Sequence, residues 1–365
     1  MSSPRVLIVG GGTGGHLFPA LAVADKLSEK GAQIIFAGTR AGIEAKLVPA
    51  RGYSLKFLWL SGFKRNRIIS NLLLPLKVLI SLVQSLAIIW KFQPQAALGT
   101  GGYTCGPLLL IASLYRIPVF LQEQNSFPGV TTRMLARFAR RVFLNFPEAS
   151  EFLPKRTRWS QSGNPVRADI DQISREDALS KWGLDPSLPI LLVFGGSQGA
   201  ASINRAVNEC LEELSAMCNL IWGHGSRDQK EVDSWTGKGK LIEKSFIEDM
   251  PSAYAAADLA ICRSGAMTLS ELQVANVPAL LIPYPYAAGD HQMHNAIAYS
   301  KKGGAVVIPD AELNGTKLIA EVKNLLNNPE ELKNMRSALS GIQSINASEM
   351  IAEEIIDSIS EKVKS

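Results

Sequence analysis

Glycine-rich turns directly follow short apolar runs at three places in this 365-residue sequence, and each half of the chain contains at least one. Residues 10–16 read GGGTGGH after VLIV, residues 99–103 read GTGGY after QAAL, and residues 194–200 read FGGSQGA after PILLV. A glycine turn between a buried strand and a helix is typical of doubly wound parallel sheets, in which ligands bind at the carboxyl ends of the strands. The sequence therefore predicts the α/β class, with one Rossmann-like sheet in each half.

The rest of the chain alternates β-branched runs with helical patterns, as this architecture requires. We predict buried parallel strands at residues 6–10, 33–39, 95–100, 118–123, 141–145, 189–196, 219–225, 240–247, 259–265, 278–285 and 305–309. Helical patterns lie between them, for instance at 17–30, 200–216, 251–256 and 266–276, and a last helix covers about 347–363. The Gly-Asn-Pro-Val sequence at 163–166 predicts a hinge. The predicted domains are then 1–165 and 166–344, with a helix of about 345–365 packing back on the first.

Cysteine usage and the first residues bear on the cellular compartment. The four cysteines form no C-x-x-C pair, which indicates buried thiols in a reducing compartment rather than a disulfide framework or a zinc site. The chain enters a predicted strand at once, without the charged, apolar and cleavage regions of a signal peptide. Together these features predict a protein that is made and kept in the cytoplasm.

The net charge of +5 hides a difference between the two halves. Residues 1–165 contain 20 Lys and Arg against 6 Asp and Glu, a net charge of +14, whereas residues 166–365 contain 18 against 27, a net charge of −9. A basic half favours an anionic partner such as nucleic acid, a phosphorylated substrate or an acidic membrane. Attraction between the two halves of the chain is the alternative.

A long apolar segment at residues 68–90 nears the ~20 residues needed to span a bilayer. Pro75, Lys77, Gln84 and several serines interrupt this segment, and the basic sequence FKRNR precedes it at 63–67. A basic flank beside an apolar helix indicates a segment lying on an anionic membrane surface. A helix buried against the sheet is an equal alternative, and a transmembrane helix is a distant third.

The first glycine turn satisfies the dinucleotide-binding pattern G-x-G-x-x-G. A dinucleotide site also needs an acidic residue at the end of the second strand to hold the ribose. That strand ends in Thr39-Arg40, and no carboxylate follows before Glu44. NAD is therefore disfavoured, and an NADP site that uses Arg40 stays open.

No metal site stands out in the sequence, because it contains neither H-x-x-x-H nor paired cysteines. The single D-x-D, Asp169-Ile170-Asp171, follows the predicted hinge and indicates a helix start rather than a metal clamp. The negative charge on a leaving diphosphate would then be balanced by backbone N–H groups, helix dipoles and arginine side chains.

Eight motifs occur in the same order and spacing as in one known family. They read GGGTGGHLFPALAVA (10–24), GGYTCGP (101–107), QEQNSFPG (122–129), GNPVR (163–167), GGSQGA (195–200), FIEDM (246–250), CRSGAMTLSEL (262–272) and DHQMHNA (290–296). On these motifs, from about residue 5 to residue 340, the chain resembles the bacterial lipid-linked N-acetylglucosaminyltransferases of peptidoglycan synthesis, the MurG family of glycosyltransferase family 28.

The resemblance implies a GT-B enzyme: two Rossmann-like doubly wound parallel-sheet domains that face a deep cleft. Such an enzyme is inverting, uses no metal and no cofactor, and moves N-acetylglucosamine from UDP-GlcNAc to the C4 hydroxyl of the muramoyl sugar of lipid I, which gives lipid II and UDP. The C-terminal domain would bind UDP-GlcNAc. The basic N-terminal domain would meet lipid I at the cytoplasmic face of the inner membrane, as a peripheral membrane protein. Nucleic acid is not expected as a partner, and cell-wall synthesis proteins are.

Carried over to matching positions, the resemblance assigns two catalytic residues. His16 would take the proton from the acceptor hydroxyl, a task that an imidazole with a pKa near ~6.5 suits at neutral pH. Capping of the first helix is its alternative role. Glu123 would orient a base, and both it and Asn125 could instead be loop residues that only hold the loop together.

The remaining assignments are substrate contacts. Thr13, Gly14 and Gly15 would lie near the diphosphate and sugar, Asn125 near a sugar or the acceptor, Arg167 and Ser197 near the nucleotide and its phosphates, and Ile247 near the uracil. Ala266, Met267, Thr268, Leu269, Ser270 and Glu271 would follow the ribose and phosphates, with Glu271 accepting from the ribose hydroxyls, and Gln292 would contact the transferred sugar. His291 and His294 are expected at the edge of the site or in solvent.

Three other functions stay open at this point. A UDP-sugar epimerase of the same fold would need carboxylates near the sugar, an NADP-linked reductase would use the first glycine turn and Arg40, and a non-catalytic lipid-sugar-binding subunit would not need His16 or Glu271.

Overall fold

The structure, a computed structural model, describes residues 3–62, 72–167, 169–196, 198–226, 235–340 and 346–364. The chain divides into two compact units. The N-terminal unit contains residues 1–166 and 345–365, and the C-terminal unit contains residues 167–344. Each unit is an α/β fold around one parallel sheet.

The N-terminal unit has a seven-stranded sheet in the order β3-β2-β1-β4-β5-β6-β7. Its strands are β1 Arg5–Val9, β2 Gln33–Gly38, β3 Ser54–Phe57, β4 Ala96–Gly99, β5 Val119–Glu123, β6 Arg141–Leu144 and β7 Trp159–Gln161. Its helices are α1 Gly14–Glu29, α2 Glu44–Ala50, α3 Leu74–Phe92, α4 Cys105–Leu114 and α5 Val130–Leu135. All pairings are parallel, and the central β1 pairs Val6 with Ile34 of β2 and with Ala96 of β4.

The C-terminal unit has a six-stranded parallel sheet in the order β10-β9-β8-β11-β12-β13. Its strands are β8 Ile190–Phe194, β9 Asn219–Gly223, β10 Leu241–Lys244, β11 Leu259–Cys262, β12 Ala279–Leu281 and β13 Ala305–Val307. Its helices are α6 Arg175–Trp182, α7 Ala201–Glu209, α8 Leu211–Met217, α9 Met250–Ala256, α10 Ala266–Val274, α11 His291–Ser300, α12 Gly315–Leu326 and α13 Pro329–Ser340. Short 3₁₀ segments lie at Ala136–Phe138, Pro147–Phe152, Ala288–Asp290 and Asp310–Glu312.

Both sheets reverse their strand order at the point where the glycine turns lie. In the N-terminal unit the reversal falls between β1 and β4, and residues 10–16 and 99–103 follow these two strands. In the C-terminal unit it falls between β8 and β11, and residues 195–200 and 263–265 follow these two strands. Ligands bind at such switch points in open α/β sheets. The topology therefore brings two sequence-distant loops together at each candidate site.

The central strands are buried on both faces, which explains their nearly continuous apolar sequences. Val6, Leu7, Ile8 and Val9 of β1 have no exposed surface, and the same holds for residues 190–193 of β8. The four cysteines are all buried and free, as predicted. The ends of helices are set by local chemistry: the Ser174 side chain accepts from the backbone N–H of Asp177 at the start of α6, and Gly183 ends it in the left-handed region.

The last helix, α14 Ala347–Lys364, packs on α1 in the N-terminal unit. Ile351, Ala352 and Ile355 are fully buried in the core that the helix shares with β1 and α1. An ion pair between Arg141 and Glu354 adds a contact at the start of β6, with Nε and Oε1 2.9 Å apart. The chain thus crosses from the C-terminal unit back to the first sheet.

All eleven strands predicted from the sequence are present in the structure, but several of them end at other residues than predicted. β3 and β7 were not predicted, because both are short edge strands whose residues are mostly exposed and give no apolar run. The predicted strands at 240–247 and 278–285 end at Lys244 and Leu281, since the following residues form the loops around the C-terminal site. The predicted helix at 200–216 is two helices that meet at Cys210.

Helix α3 reverses the usual distribution of side chains. Its buried residues are Ser81, Ser85 and Ile89, whereas Leu79 and Val83 are 60% and 62% exposed. The two serine hydroxyls donate to backbone carbonyls of the same helix, so no polar partner is lost by burying them. By length and composition α3 could cross a membrane, yet only 17% of its apolar window is buried. The alternative of a helix buried on the sheet therefore does not describe it, and the FKRNR cluster lies outside the described residues.

Candidate active site

The first glycine turn is shaped by close contacts between the loops after β1 and β4. A Cβ atom at Gly10 would lie 1.9 Å from Oγ1 of Thr100, so only glycine fits there. The Thr100 hydroxyl donates to the backbone oxygen of His16 at 2.7 Å. The buried thiol of Cys105 donates to the backbone oxygens of Val9 and Gly101, and burial raises its pKa to about 12. These contacts fix the start of α1 against the glycine turn at residues 99–103.

His16 lies in the first turn of α1, half-buried, with its ring against the glycine turn at residues 99–103. Its Nδ1 lies 3.2 Å from the hydroxyl of Thr13, the N-cap residue of the helix. A Cβ atom at Gly101 would lie 2.6 Å from Cδ2 of the imidazole, so this glycine makes room for the ring. Thr13 and Gly101 thus set the orientation of an imidazole that is accessible from solvent. The Thr13 side chain does not cap the helix backbone.

The Glu44 side chain accepts a hydrogen bond from the first glycine turn, a role that was not predicted from the sequence. The side chain is 1% exposed, and its Oε2 accepts from the backbone N–H of Gly12 at 2.8 Å. Its Oε1 accepts from the backbone N–H of Thr39 at 2.8 Å and from the Thr39 hydroxyl at 3.0 Å. Cβ atoms at Gly11, Gly38 and Gly42 would all lie within 2.6 Å of this side chain.

The position of Glu44 bears on the dinucleotide alternative. In a dinucleotide site, amides of the first glycine turn point at a pyrophosphate. Here one of these amides, that of Gly12, already donates to a protein carboxylate, which also brings a negative charge to the place. The geometry therefore argues against NADP at this turn. Three glycines grouped around one glutamate were the signal that could have identified this residue.

Glu123, at the end of β5, holds the loop that follows it. Its Oε1 accepts from the backbone and side-chain nitrogens of Asn125, at 3.2 and 3.1 Å, and its Oε2 accepts from the N–H of Gly129 at 3.2 Å. These bonds make Glu123 the support of the QEQNSFPG loop. Its assignment as an orienting group for a base stays a prediction, as does the substrate contact of Asn125.

A buried network of amide side chains connects the ends of β5 and β6 to Asn164, in the segment that was predicted as a hinge. Gln122 donates to Oδ1 of Asn164 at 2.7 Å, and Gln124 donates to the backbone oxygen of Thr100 at 2.7 Å and to the Gln122 side chain. Asn145 and Asn164 both donate to the backbone oxygen of Gln124. Because all four amides are buried, the loss of any one leaves others without partners. The network fixes the chain two residues before the boundary of the unit.

The C-terminal unit contains a pocket of about 790 Å³ at its switch point. It is lined by the loops after β8 and β11 and by the segment before α11, namely residues 194–196, 198–202, 263, 265, 268, 284–286, 292 and 310. Gly199 lies with φ +79°, and a Cβ atom there would come within 2.2 Å of the backbone oxygen of His224. The glycine turn after β8 therefore packs closely on the end of β9 while its other side remains open to the pocket. Ser197 of this turn lies outside the described residues.

Arg263 provides a fixed cation in the wall of this pocket. Its guanidinium donates to the hydroxyl of Ser202 at 2.9 Å, to the backbone oxygen of Ile282 at 3.1 Å, and to the carboxylate of Asp310. It also lies over the ring of Tyr284, with Cζ 5.5 Å from the centroid. Arg263 lies within the CRSGAMTLSEL motif, but no role was predicted for it from the sequence. A lone arginine directly after a core strand was the available signal.

The predicted segment 266–271 forms the first turns of α10, and its side chains divide between pocket and interior. Thr268 lines the pocket and Met267 is half-buried. Leu269 and Ser270 are buried, and the Ser270 hydroxyl donates to the backbone oxygen of Ala266 at 3.0 Å. Any ligand contact of these buried residues would be made through the backbone.

Gln292 lines the same pocket, and its geometry is set from two sides. Its Oε1 accepts from the backbone N–H of Tyr284 at 3.0 Å, and its backbone oxygen accepts from the Ser264 hydroxyl at 2.7 Å. Asn295, one turn later, is fully buried and donates to the backbone oxygen of Ser264 at 3.4 Å. His291 bonds to the backbone oxygen of Ala288, and His294 is exposed.

Glu271 is half-buried beside Tyr254. The Tyr254 hydroxyl donates to Oε2 of Glu271 at 3.0 Å. Burial raises the pKa of Glu271, while this hydrogen bond and the charge of Arg167 act in the opposite direction. Arg167 itself makes a two-pronged ion pair with Asp169, at 3.0 and 2.6 Å. Ile247 is buried, with its Cδ1 3.1 Å from the place of a Cβ atom at Gly223.

The predicted site residues thus form two groups, one in each unit of the chain. Thr13, Gly14, Gly15 and His16 lie together at the switch point of the N-terminal unit, and Glu123 with Asn125 lie in the next loop of the same unit. In the C-terminal unit, Thr268 and Gln292 share one pocket. Among the residues that the structure describes, no group of three or more His, Cys, Asp or Glu side chains is placed to hold a metal ion.

Comparisons with known proteins agree with this arrangement. Residues 6–144 match the glycosyltransferase family 28 N-terminal domain, and residues 190–355 match the glycosyltransferase family 28 C-terminal domain. A protein of Chlorobium luteolum named UDP-N-acetylglucosamine–N-acetylmuramyl-(pentapeptide) pyrophosphoryl-undecaprenol N-acetylglucosamine transferase is 43% identical over 97% of this chain and 98% of its own length. A protein of Acetivibrio thermocellus with the same name is 38% identical over 98% of this chain and 99% of its own.

Solved structures show the same architecture. The crystal structure of Acinetobacter baumannii MurG matches 97% of this chain and 99% of that one, with a TM-score of 0.79 and 28% identity. A calicheamicin glycosyltransferase matches with a TM-score of 0.71 over 99% of both chains at 15% identity, which shows the fold alone. The predicted GT-B class is thereby confirmed. With both family domains in order and named relatives over nearly its whole length, the chain belongs to the MurG family within glycosyltransferase family 28.

Proposed function

We propose that this protein transfers N-acetylglucosamine from UDP-GlcNAc to the C4 hydroxyl of the muramoyl sugar of lipid I, with inversion, giving lipid II and UDP. The observation that carries the proposal is the 43% identity over 97% of the chain to a relative named for this transfer. The two switch-point sites supply a physical basis for it, one for each substrate. By producing lipid II the enzyme would serve peptidoglycan synthesis, and through it cell shape and cell division.

The pocket of the C-terminal unit suits the UDP-sugar. Helices α7 and α10 both begin in its lining, at Ala201 and at the residue after Gly265, so their N-terminal amides favour an anion there. Arg263 adds a guanidinium group that is held by four hydrogen-bond partners, one of them the carboxylate of Asp310, and that needs little reorganisation. The developing charge on UDP could be balanced by these groups. Glu271 would accept from the ribose and Gln292 would contact the sugar.

The first glycine turn of the N-terminal unit suits the acceptor sugar and the base. His16 is accessible, and Thr13 orients its ring through Nδ1. As general base it would take the proton of the C4 hydroxyl while the oxygen attacks C1 of N-acetylglucosamine and UDP leaves. Because Glu44 already bonds the amide of Gly12, the turn is better suited to a hydroxyl-bearing sugar than to a phosphate at that amide.

The test is an assay of UDP release with purified protein and UDP-GlcNAc, with and without a lipid I analogue. We expect UDP release and N-acetylglucosamine transfer only when the analogue is present. Equal UDP release without an acceptor would contradict the proposal and indicate a hydrolase, and sugar interconversion without release would indicate an epimerase. A protein that binds both substrates without turnover would be a lipid-sugar-binding subunit.

We further propose that the protein lies on the cytoplasmic face of the inner membrane through α3. The support is the outward apolar face of this helix, where Leu76, Leu79, Val83 and Trp90 are all exposed. Such an area would be costly in water and favourable in the boundary region of a bilayer. The surplus of positive charge in residues 1–165 would add attraction to anionic lipids.

Co-sedimentation with vesicles containing anionic lipid measures this association. Leu79→Ser with Val83→Ser should reduce the bound fraction severalfold, and high salt should reduce it further. A matched change on the C-terminal unit, Ile297→Ser, alters an exposed apolar residue of α11 and should leave binding unchanged. Equal binding of all three proteins would rule out α3 as the membrane contact.

A further inference from the structure

A pocket of about 580 Å³ lies at the carboxyl ends of β2 and β3 and contains none of the predicted site residues. The loop after β2, the segment after β3 and one face of α3 form it. The described lining residues are Thr39, Arg40, Ala41, Phe57, Leu58, Trp59, Leu60, Ser61, Lys77 and Gln84. Its volume is within the ~300–1,000 Å³ usual for ligand pockets. We call it the β2–β3 pocket.

The β2–β3 pocket lies on the same edge of the sheet as the first glycine turn. The strand order β3-β2-β1 and the parallel pairing put the carboxyl ends of these strands side by side. Neighbouring strands are about 4.8 Å apart, so the ends of β2 and β3 lie about 5 and 10 Å from the end of β1. Glu44 links the two places, because it accepts from Gly12 of the turn and from Thr39, which lines the pocket. A ligand held at the turn therefore has the pocket within reach of a short side arm.

Two cations in the β2–β3 pocket each lie over an aromatic ring. The Cζ atom of Arg40 is 5.3 Å from the centroid of the Phe57 ring, and the Nζ atom of Lys77 is 5.8 Å from that of Trp59. Lys77 also donates to the Ser61 hydroxyl at 3.0 Å. A cation above a ring keeps N–H groups that can donate to an anion. No Asp or Glu is among the described lining residues, so the pocket favours a ligand with anionic groups.

The cation on α3 lies on a different face from the exposed apolar side chains of that helix. Lys77 is four residues before the buried Ser81 and seven before Gln84, so these three residues share one face. Gln84 accepts from the backbone N–H of Trp59 at 2.7 Å, which joins this face to the segment after β3. Leu79 lies about 200° from Lys77 around the helix. The face that borders the pocket is therefore not the face proposed to meet the membrane, which argues against a lipid head group as the occupant.

The proposed acceptor has an anionic arm beside its reacting hydroxyl. In a muramoyl pentapeptide the peptide is attached through a lactyl ether at C3, the carbon next to C4, and it ends in a carboxylate. An extended chain spans ~3.3–3.6 Å per residue, so about three residues cover the distance from the turn to the end of β3. The exposed rings of Phe57 and Trp59 provide apolar surface for the carbon atoms of such a chain.

We infer that the β2–β3 pocket binds the peptide of the acceptor, with a peptide carboxylate on Arg40 and Lys77. The inference rests on the proposed function for the identity of the acceptor. It adds to that function a site for a part of the acceptor that does not react. Binding of this remote group would hold the C4 hydroxyl beside His16 and so increase kcat/KM.

The first experiment compares two lipid I analogues with the same short lipid chain, in detergent solution without vesicles. One analogue has free peptide carboxylates, and the other has them converted to primary amides. For the unmodified protein we expect kcat/KM to be at least about tenfold higher with the free carboxylates, since hydrogen bonds between ions are lost with the amides. Arg40→Ala and Lys77→Ala should each lose most of this ratio. Arg40→Lys should keep part of it, because the charge remains and the planar guanidinium does not.

Lys91→Ala is the matched control, because it removes an exposed cation from the last turn of the same helix. It should keep the ratio of the unmodified protein. Arg40 is exposed and Lys77 is half-buried, so we expect both alanine variants to fold, and circular dichroism and the Tm check this. A ratio that stays the same in the unmodified protein, Arg40→Ala and Lys77→Ala would overturn the inference.

The second experiment does not depend on transfer. Isothermal titration calorimetry with a muramoyl pentapeptide that lacks lipid and diphosphate should show binding to the full-length protein, weakened at least about fivefold in Arg40→Ala and in Lys77→Ala. N-acetylmuramic acid alone should bind more weakly than the muramoyl pentapeptide. Equal binding of these two compounds would overturn the pocket while leaving acceptor-dependent UDP release intact. Conversely, peptide binding that depends on Arg40 and Lys77 in a protein without acceptor-dependent UDP release would retain the pocket and remove the proposed function.

Co-sedimentation with vesicles containing anionic lipid distinguishes a peptide from a lipid head group as the occupant. Arg40→Ala should bind these vesicles as well as Lys91→Ala does, since each variant loses one positive charge. If Arg40→Ala bound them much less well and kept the full preference for free peptide carboxylates, the pocket would belong to lipid head groups and the inference would be wrong.

Discussion

The two switch points of this molecule start from similar sequences and end as different sites. In the N-terminal unit, the buried side chain of Glu44 packs against the glycine turn after β1 and accepts a hydrogen bond from the amide of Gly12. In the C-terminal unit, the glycine turn after β8 borders an open pocket of about 790 Å³, whose wall contains the cation of Arg263. One turn is thus paired with a buried carboxylate, and the other borders an open pocket whose wall contains the ion pair of Arg263 and Asp310.

This difference shows that a glycine turn alone does not define a phosphate site. What decides is the partner that the turn's amides have when no ligand is bound. An amide already paired with a carboxylate can hold its loop in place and present neighbouring side chains, such as His16. A turn beside two helix N-termini and a fixed arginine can receive a diphosphate. Under the proposed function, we expect the first turn to determine turnover and the turn after β8 to determine nucleotide affinity, and each prediction below tests that division.

The largest effect is expected at His16. His16→Ala removes the proposed base, and we expect kcat for transfer to fall by about 10²–10⁴-fold, the usual contribution of a general base. The Kd for UDP should stay within about twofold of the original, because no residue of the C-terminal pocket is altered. Steady-state kinetics with a lipid I analogue and calorimetry with UDP measure the two quantities.

His294→Ala is the matched control for His16, since it removes an exposed imidazole of α11. It should leave kcat close to that of the unmodified protein. If His16→Ala kept its full kcat, the base would have to be another group. If it lost UDP binding instead, the division between the two turns would be wrong.

Glu44 should give the next largest effect, on stability as well as on rate. Glu44→Ala removes the acceptor of the half-buried amide of Gly12 and of the buried amide of Thr39, which should lower the free energy of unfolding by about 2–4 kcal/mol. Glu44→Gln retains one acceptor oxygen and should lose less. In both variants kcat should fall together with stability, while the Kd for UDP stays unchanged. Urea denaturation and transfer kinetics check these outcomes.

Glu29→Ala provides the comparison for Glu44, because Glu29 is exposed and forms a surface ion pair with Lys26. Its effect on stability should be within about 0.5 kcal/mol. Should Glu44→Ala prove as mild as Glu29→Ala, the carboxylate would not be what holds the turn.

A smaller effect is expected at Gln292. Gln292→Ala removes the acceptor of the Tyr284 amide and the predicted contact to the transferred sugar. The KM for UDP-GlcNAc should rise about tenfold, as loss of one or two hydrogen bonds implies, whereas the Kd for UDP alone should change by less than threefold. Equal losses for UDP-GlcNAc and UDP would place Gln292 at the nucleotide instead of the sugar.

The sequence predicted the sheets and the glycine turns well because both depend on local signals. Buried parallel strands require continuous apolar runs, such as VLIV before the first turn, and tight strand-to-helix turns require glycine. Edge strands carry no such signal: Ser54–Phe57 and Trp159–Gln161 are mostly exposed and look like loops. Their pairing is decided by the neighbouring strand rather than by their own residues.

The candidate site was only partly predictable for a similar reason. Motif resemblance singled out His16, Thr268 and Gln292, and the structure places all three at the two switch points, because their positions follow from short segments; their roles stay predictions. Glu44 acts on a turn 32 residues earlier, and Gln122 pairs with a residue 42 positions later. Such partnerships are created by strand order, which brings distant loops to one edge of a sheet. A single sequence contains no direct record of them.

The smallest effect should appear at Glu271, and its sign follows from burial. Since burial raises the pKa of Glu271 in the folded protein, its ionised form costs stability, and this cost grows as the pH rises from the unfolded pKa through the folded one. Glu271→Gln removes the charge and can still accept from the Tyr254 hydroxyl. Its Tm should therefore equal that of the unmodified protein near pH 4 and exceed it by about 1–3 °C at pH 7–8. Glu312→Gln, at an exposed position, should show no such pH-dependent gain.

The same substitution at Glu271 should weaken UDP binding severalfold, because a carboxylate accepts from ribose hydroxyls more strongly than an amide does. If Glu271→Gln gained stability at neutral pH and kept its full affinity for UDP, the Glu271 carboxylate would not be needed for nucleotide binding. Glu271 would then no longer count among the nucleotide contacts of the C-terminal unit.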